Sequence, residues 1–210
     1  MKVLNAGFLD VIRVHGDEST IAEVARMSYG KTETPDAKTS ARLCRDLVTK
    51  GHLSPLAQAS IQFHVKAPLF VARQWVRHVS HAARWNEKSL RYTKSTELNF
   101  YVPPLFRADP MVRGAIANAN TRAMGAYAML LNEGVKPELA RVVLPASVYV
   151  EWKLTVSVKD IMYGFLVQRL DKHAQWEIRQ YAEAMLKHLH ENFPNVAEAF
   201  ENKHFGADKE

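Results

Sequence analysis

From Ser60 to Lys66 apolar and polar residues alternate, Ile61, Phe63 and Val65 against Gln62, His64 and Lys66, the period of a strand buried on one face. Residues 148–156, VYVEWKLTV, repeat that pattern, and Phe8, Leu9, Val11, Ile12 and Val14 predict strands near the N-terminus, broken at Gly16-Asp17. Elsewhere the spacing is helical. Thr20-Ile21-Ala22-Glu23 has the spacing of a capping box and predicts a short helix to about Gly30, followed by a polar loop, KTETP. Pro35 suits a first helical turn, Leu43, Cys44, Leu47 and Val48 share one face, and Gly51 is placed as a C-terminal cap. Pro68 opens a helix carrying Leu69, Phe70, Ala72, Trp75 and Val76, which delivers Arg77 and His78 at its end. Asn99 to Val102 reads as a strand ended by Pro103-Pro104, with a long helix from about Pro110 to Gly134 and a shorter one after Pro137. Ser157-Val158-Lys159-Asp160 starts a helix that runs through Ile161, Phe165 and Leu166 to Arg169. A last helix extends from about His173 to Phe193, where Pro194 stops it. No repeat or linker interrupts this order, so the expectation is one α/β domain over residues 1–205 with a short tail, 206–210, in which a mixed or antiparallel sheet is packed by long helices.

Composition narrows the class. With 210 residues, 47% of them hydrophobic, the chain can bury a single core. No apolar run approaches the roughly 20 residues that span a bilayer, and the N-terminus carries charge where a signal peptide has its apolar centre. The expected location is the cytoplasm, with no membrane partner. Cys44 is the one cysteine, which excludes an intramolecular disulfide and a cysteine-based zinc site. A formal net charge of +6 favours an anionic partner: nucleic acid, a nucleotide or a phosphorylated cofactor. The arginines Arg73, Arg77, Arg84 and Arg91 stand in apolar or aromatic company. That setting suits a bounded phosphate pocket better than a nucleic-acid groove, so no nucleic-acid partner is expected.

The segment QWVRHVSHAARWNEKSLRY, residues 74–92, concentrates the candidate chemistry. Arg77 and Arg91 flank a loop with Asn86, Glu87 and Ser89: a guanidinium fork, a hydroxyl donor and a carboxylate acceptor, able to hold a phosphate and a sugar or base edge. The plain alternative is a solvated loop with weak surface ion pairs. Trp75, Trp85 and Tyr92 in the same segment argue instead for stacking on a planar ligand. His52 reads as a cap or surface residue. His78 and His81 lie beside the arginines but lack a pair of carboxylates to complete a metal shell, so no metal is expected. Cys44, on the apolar helix face, reads as a core residue rather than a nucleophile.

Four segments together, FHVKAPLFVARQWVRH with the following NEKSLRY, ELARVVLP at 138–145 and DKHAQWEIRQYA at 171–182, resemble the flavin-dependent thymidylate synthases in order and spacing from about residue 1 to 200. The resemblance implies a homotetramer with active sites at subunit interfaces. It also implies conversion of dUMP to dTMP, with methylenetetrahydrofolate as carbon donor and FAD, reduced by NADPH, as hydride source, and no enzyme cysteine on the pyrimidine. By the same resemblance Gln74, Arg77, Glu87, Ser89, Leu90 and Arg91 hold the nucleotide, joined by Arg141 from a neighbouring subunit. Arg169 binds the uracil and is catalytic, favouring ionisation at N3 as a fixed cation beside a developing anion. Ser54, Arg77, His78, Val79, Glu87, Ser157, Lys159 and Tyr163 fall where the family holds the flavin.

The chain departs from the family pattern at that flavin side. Where the family has Arg-His-Arg, seven residues and Ser, this chain has Arg77-His78-Val79 and nine residues, 80–88, before Ser89. Arg84 or His81 is the candidate to return the missing cation. Ser157-Val158-Lys159 replaces an Asn-x-Arg, Ala57-Gln58 replace an acidic position, Leu90 replaces a glycine, and one residue is added between Tyr163 and Arg169. These changes leave a second reading beside the synthase, a pyrimidine-nucleotide C5 hydroxymethyltransferase acting on dUMP or dCMP, whose product needs no final hydride.

Overall fold

The computed structural model describes residues 1–79, 83–92 and 98–206. Among them β1 (Lys2–Val3), β2 (Gly7–His15), β3 (Ser60–Pro68), β4 (Arg84–Glu87) and β5 (Tyr149–Ser157) form a sheet in the order β1-β2-β3-β5-β4, with every neighbouring pair antiparallel. The strand read from the alternation at Ser60 is the middle one. Its partner β5 pairs in register from Ser60 opposite Ser157 to Pro68 opposite Tyr149. That register puts Ile61, Phe63 and Val65 beside Val156, Leu154 and Trp152, all buried, because a period of two sends every second side chain to the same face. Gln62 and His64, on the other face, meet Thr155 and Glu151.

The helices are α1 (Glu18–Met27), α2 (Ala37–Lys50), α3 (Leu69–Val79), α4 (Pro110–Asn132), α5 (Pro137–Ala140), α6 (Val167–Arg169), α7 (Trp176–Asn192) and α8 (Pro194–His204). A 3₁₀ turn at Pro55–Gln58 precedes β3, another at Arg141–Val143 continues α5, and a π-helical segment, Asp160–Leu166, leads into α6. The capping box of α1 lies three residues ahead of the predicted one. Asp17 accepts from the Thr20 backbone at 2.9 Å while Thr20 Oγ1 accepts from the Asp17 backbone at 3.2 Å, so the carboxylate next to Gly16 claims the cap. In α2 Asp36 caps the start at 2.7 Å, with Pro35 just outside, and Gly51 ends the helix at φ 75°.

Three elements differ from the sequence reading. Residues 84–87, read as loop, form the edge strand β4, because they pair with β5 and Trp85 stacks on Trp152 at 4.2 Å. Asn99 to Val102 is not a strand; only Phe100 bridges to Val148. Pro194 ends α7 and also opens α8, since a proline is accepted where the first helical N–H has no partner anyway.

Trp75 changes role as well. Fully buried, it stacks on Phe165 at 4.5 Å and meets Trp152 at 5.5 Å and Tyr181 at 5.7 Å edge-on, so it ties α3 to the sheet, the π-helical segment and α7. It is core, not a ligand platform. The residue that the resemblance adds between Tyr163 and Arg169 falls at or beside the π-helical segment, Asp160–Leu166, whose turn holds more residues than that of an α-helix. A Cβ on Gly164 would lie 3.1 Å from the His78 carbonyl, so glycine is what lets the end of α3 approach this segment.

The 23-residue α4 stands apart. Only Asn120 and Tyr127 are buried along it, while Met111 and Met129, and beyond it Leu139 and Val142, are exposed at 58–79%. Among the described residues no helix is long and apolar enough to cross a membrane.

Gly7 tests the packing of sheet against α7. A Cβ there would collide with the Tyr181 hydroxyl and lie 2.6 and 2.7 Å from the carbonyls of Lys66 and Val3, and that hydroxyl already donates to Lys66 O. Gly7→Ala is expected to destabilise by about 2–3 kcal/mol, read as a lower urea midpoint with an unchanged slope.

Candidate functional site

The end of α3 and the end of α6 bring the predicted residues His78 and Arg169 together. Arg169 Nη2 donates to His78 Nε2, which requires a neutral imidazole with its proton on Nδ1. Burial is the main reason the His78 pKa lies below its ordinary 6.5, and the charges of Arg169 and Arg77 lower it further. Arg169 is itself half-buried, its pKa lowered by burial, and its Nε is buried with no hydrogen-bond partner among the described residues. Among the described residues no carboxylate there pairs with Arg77 or Arg169. Arg169 lies on a neutral histidine with no carboxylate paired to it among the described residues, and the exposed Arg77 adds positive charge next to that histidine, an arrangement that favours an anionic ligand. Gln74, one turn before Arg77 and His78 on α3, donates from Nε2 to Gln175 Oε1 at 2.5 Å.

A second group lies just past β4. Glu87 accepts from Trp85 Nε1 at 3.4 Å, and Ser89 Oγ accepts from the Arg91 backbone at 3.2 Å, with Leu90 between them half-buried. Arg91 pairs with Glu138 at 3.3 Å and lies over Tyr92, while Arg141 Nε donates to the Glu138 carbonyl at 3.4 Å. Arg91 and Arg141 therefore meet through Glu138, a residue the sequence reading did not assign although it stands one helical turn before Arg141. Within one chain Arg141 belongs to this group rather than to Arg169.

The residues expected at the flavin are spread more widely. Ser54 lines a groove of about 690 Å³ formed by α1, α2 and the turn between α2 and β3. Arg26, Lys31, Arg42 and Lys50 contribute cations to it, Glu33, Asp36 and Asp46 contribute anions, and His52 lies on its wall. Ser157 is committed to the fold: its hydroxyl donates to Asp160 Oδ2 at 2.5 Å and accepts from the Asp160 backbone at 3.1 Å, turning β5 into the π-helical segment. Lys159 is half-exposed beside it. Tyr163 packs edge-on against Phe200 at 5.9 Å, and its hydroxyl is buried with no hydrogen-bond partner among the described residues. Val79 ends α3. Arg84 is exposed, opposite Thr155 at the start of β4; His81 lies outside the described residues.

Cys44 has the surroundings of a core thiol. It is fully buried, donates to the Glu18 carbonyl at 3.4 Å, and its pKa is pushed up to about 12, chiefly by burial. A thiol in that state is neutral at every working pH and a poor nucleophile.

Comparison with known proteins gives one consistent picture. The sequence model of the family described as "Thymidylate synthase complementing protein" matches residues 10–195. A flavin-dependent thymidylate synthase of Thermotoga neapolitana is 41% identical over 204 residues, covering 94% of this chain and 92% of its own. That of Thermus thermophilus is 38% identical over 213 residues, covering 95% and 77%. Among solved structures, the UMP/dUMP methylase PolB from Streptomyces cacaoi, bound with 5-Br dUMP, superposes with a TM-score of 0.86 at 27% identity over 97% of this chain and 98% of its own. The same protein bound with 5-Br UMP gives 0.80 at 25% identity over 97% of each chain.

Two outcomes check the local electrostatics. Because the unfolded chain binds the His78 proton at higher pH than the folded one, this residue costs stability as pH falls through 6.5, and none above it. In an NMR titration Arg169→Ala should move the His78 midpoint upward but leave it below 6.5, since burial is the larger cause. Cys44 should resist iodoacetamide at pH 8 and react within minutes once the protein is unfolded in guanidinium; rapid native labelling would refute the buried placement.

Proposed function

The chain belongs to the thymidylate synthase complementing protein family, that of the flavin-dependent thymidylate synthases, and on that premise we propose that it methylates C5 of dUMP to give dTMP. In this reading methylenetetrahydrofolate donates the carbon and FAD, reduced by NADPH, is the cofactor. The observation that carries it is the half-buried pair of Arg169 and His78, flanked by the exposed Arg77, with no carboxylate among the described residues to neutralise Arg169. A cation kept from water without a partner is costly unless a ligand supplies the charge.

Arg77, Ser89 and Arg91 bind the phosphate as forks and a hydroxyl donor, Gln74 meets the base edge, and Glu87 and the Leu90 backbone complete the nucleotide site. Arg169, held by His78, lies beside the pyrimidine and favours loss of the N3 proton, because a fixed cation in a site with little water stabilises the anion. Negative charge delocalised to C5 makes that carbon the nucleophile: it forms a bond to the one-carbon unit while the carbon–nitrogen bond of the folate breaks. His78, kept neutral, does not compete with Arg169 for the developing charge.

The residues present also fit FAD. The groove at Ser54 has the volume of a ligand site, and with Lys50 paired to Asp46 and Arg26 bonded to the Glu33 carbonyl, Lys31 and Arg42 are the cations it offers a diphosphate. Arg77, His78 and Glu87 offer donors and acceptors, Lys159 offers a charge where Ser157 is already engaged, and Tyr163 offers a buried hydroxyl. Val79 brings no cation, and Arg84 is the described cation near enough in sequence to stand in for the family's third residue. FAD bound there supplies a hydride for the methyl group.

The protein assembles as a homotetramer with interface active sites. The exposed apolar residues of α4 and the turn after α5 support this, as does the position of Arg141, which within one chain joins Arg91 through Glu138 rather than Arg169, so that a nucleotide at Arg169 would take Arg91 and Arg141 of the partner subunit. The partner is a nucleotide rather than nucleic acid or a membrane.

A second reading has one observation in its favour: the solved relative superposing at 0.86 is a methylase of both UMP and dUMP. The ribonucleotide is then a substrate as well, and kcat/KM for UMP against dUMP decides it.

Purified protein should show the visible absorption of oxidised flavin and form dTMP from dUMP, methylenetetrahydrofolate and NADPH. A colourless protein without product overturns the proposal, and a hydroxymethyl nucleotide made without NADPH consumption replaces it with the transferase reading. Arg169→Ala should lower kcat by about 10²–10³ with the fold intact by circular dichroism; an unchanged rate removes the role given to it.

A further inference from the structure

Gln175 stands at the N-terminal cap of α7, where Ser, Thr, Asp or Asn would satisfy one of the helix's free N–H groups. Its backbone has the extended geometry of a cap, φ −56° and ψ 135°, yet its side chain makes no capping hydrogen bond. The amide reaches away from the helix instead, to accept from Gln74 Nε2 at 2.5 Å. A local preference is left unmet in favour of one contact 101 residues distant in sequence. Positions where a local rule is broken without a local gain are where functional constraints concentrate.

The next two residues, Trp176 and Glu177, are anchored from outside α7 as well. Trp176 meets Phe106 edge-on at 5.2 Å and carries the Arg107 guanidinium over its ring at 5.7 Å. Glu177, almost fully buried, accepts from the Tyr101 hydroxyl at 2.8 Å, and the Tyr101 carbonyl accepts from Asn120 at 3.2 Å. Gln175 is thus carried on a fixed base although its helix start is uncapped. A fixed acceptor can orient a flexible amide, whose two ends otherwise exchange by rotation.

We infer that Gln175 is a positioning residue of the nucleotide site, holding the Gln74 amide so that its second N–H faces a carbonyl of the pyrimidine. That carbonyl gains negative charge as N3 ionises, so an N–H donated to it supports the anion. The inference rests on the proposed role of Gln74 at the base. Rotation of the Gln74 amide would set like groups against like, so the contact at Gln175 acts on nucleotide affinity and on base discrimination.

The test is Gln175→Ser in the full-length protein, with Gln175→Asn as a second variant. Serine can cap α7 but cannot reach Gln74. The melting temperature should hold or rise by about 2–4 °C, while KM for dUMP by initial rates and Kd by calorimetry rise about fivefold, the loss of one net hydrogen bond. In a Gln74→Ala background the same substitution should leave KM unmoved, because the effect runs through Gln74. A lower melting temperature with unchanged KM and Kd would show a purely structural contact and overturn the inference, as would an equal rise in KM in the Gln74→Ala background. If Gln74→Ala itself leaves dUMP affinity intact, or the wild-type protein binds no dUMP, the nucleotide reading fails first and the inference falls with it.

Discussion

The contact on which the rest depends is the stack of Trp75 on Phe165, with Trp152 and Tyr181 closing around the same indole. A buried aromatic of this size removes about 150–250 Å² from water, worth about 4–6 kcal/mol at 25 cal/mol per Å². The indole N–H of Trp75 is buried without a hydrogen-bond partner among the described residues, a cost of about 1–3 kcal/mol. Packing outweighs that cost, and so the core accepts the unpaired donor. The consequence is positional. Gln74, Arg77 and His78 are Trp75's neighbours on α3, Arg169 comes one turn after Phe165, and Trp85 of β4 stacks on the same Trp152.

This anchoring creates an electrostatic conflict that the fold tolerates. A histidine held neutral by burial and by two guanidiniums accepts from one of them, and the Nε of that arginine has no partner among the described residues. Such a group destabilises the protein by itself and becomes favourable once an anion lies against it. The buried aromatic contacts around Trp75 hold the charged side chains in place, and the chemistry of the site depends on where that packing leaves them.

Much of this was legible in the residue pattern because it is local. The alternation around Phe63, the helix that carries Arg77 and His78, the cap at Gly51 and the core face of Cys44 each depend on neighbours within a few positions, where periodicity and backbone preference operate. The resemblance to the flavin-dependent thymidylate synthases rests on four segments of that kind, and the family match over residues 10–195 agrees with it. Where the pattern misled, a distant partner decided. Residues 84–87 become a strand because β5 offers an edge and Trp152 a ring, whereas Asn99 to Val102 finds only one bridge.

By itself, then, the sequence determined the periodicity of the buried faces, the helix ends set by Asp, Gly and Pro, and the inventory of cations that calls for an anionic ligand. Only the tertiary structure decided that Trp75 is core, that Arg169 rests on His78, that Glu138 joins Arg91 to Arg141, and that Gln175 gives up its cap for Gln74. The physical reason is the same in each case. A hydrogen bond or ring contact between residues separated by tens of positions has no signature in local spacing, and it forms only where packing of the intervening chain has already brought the partners within reach.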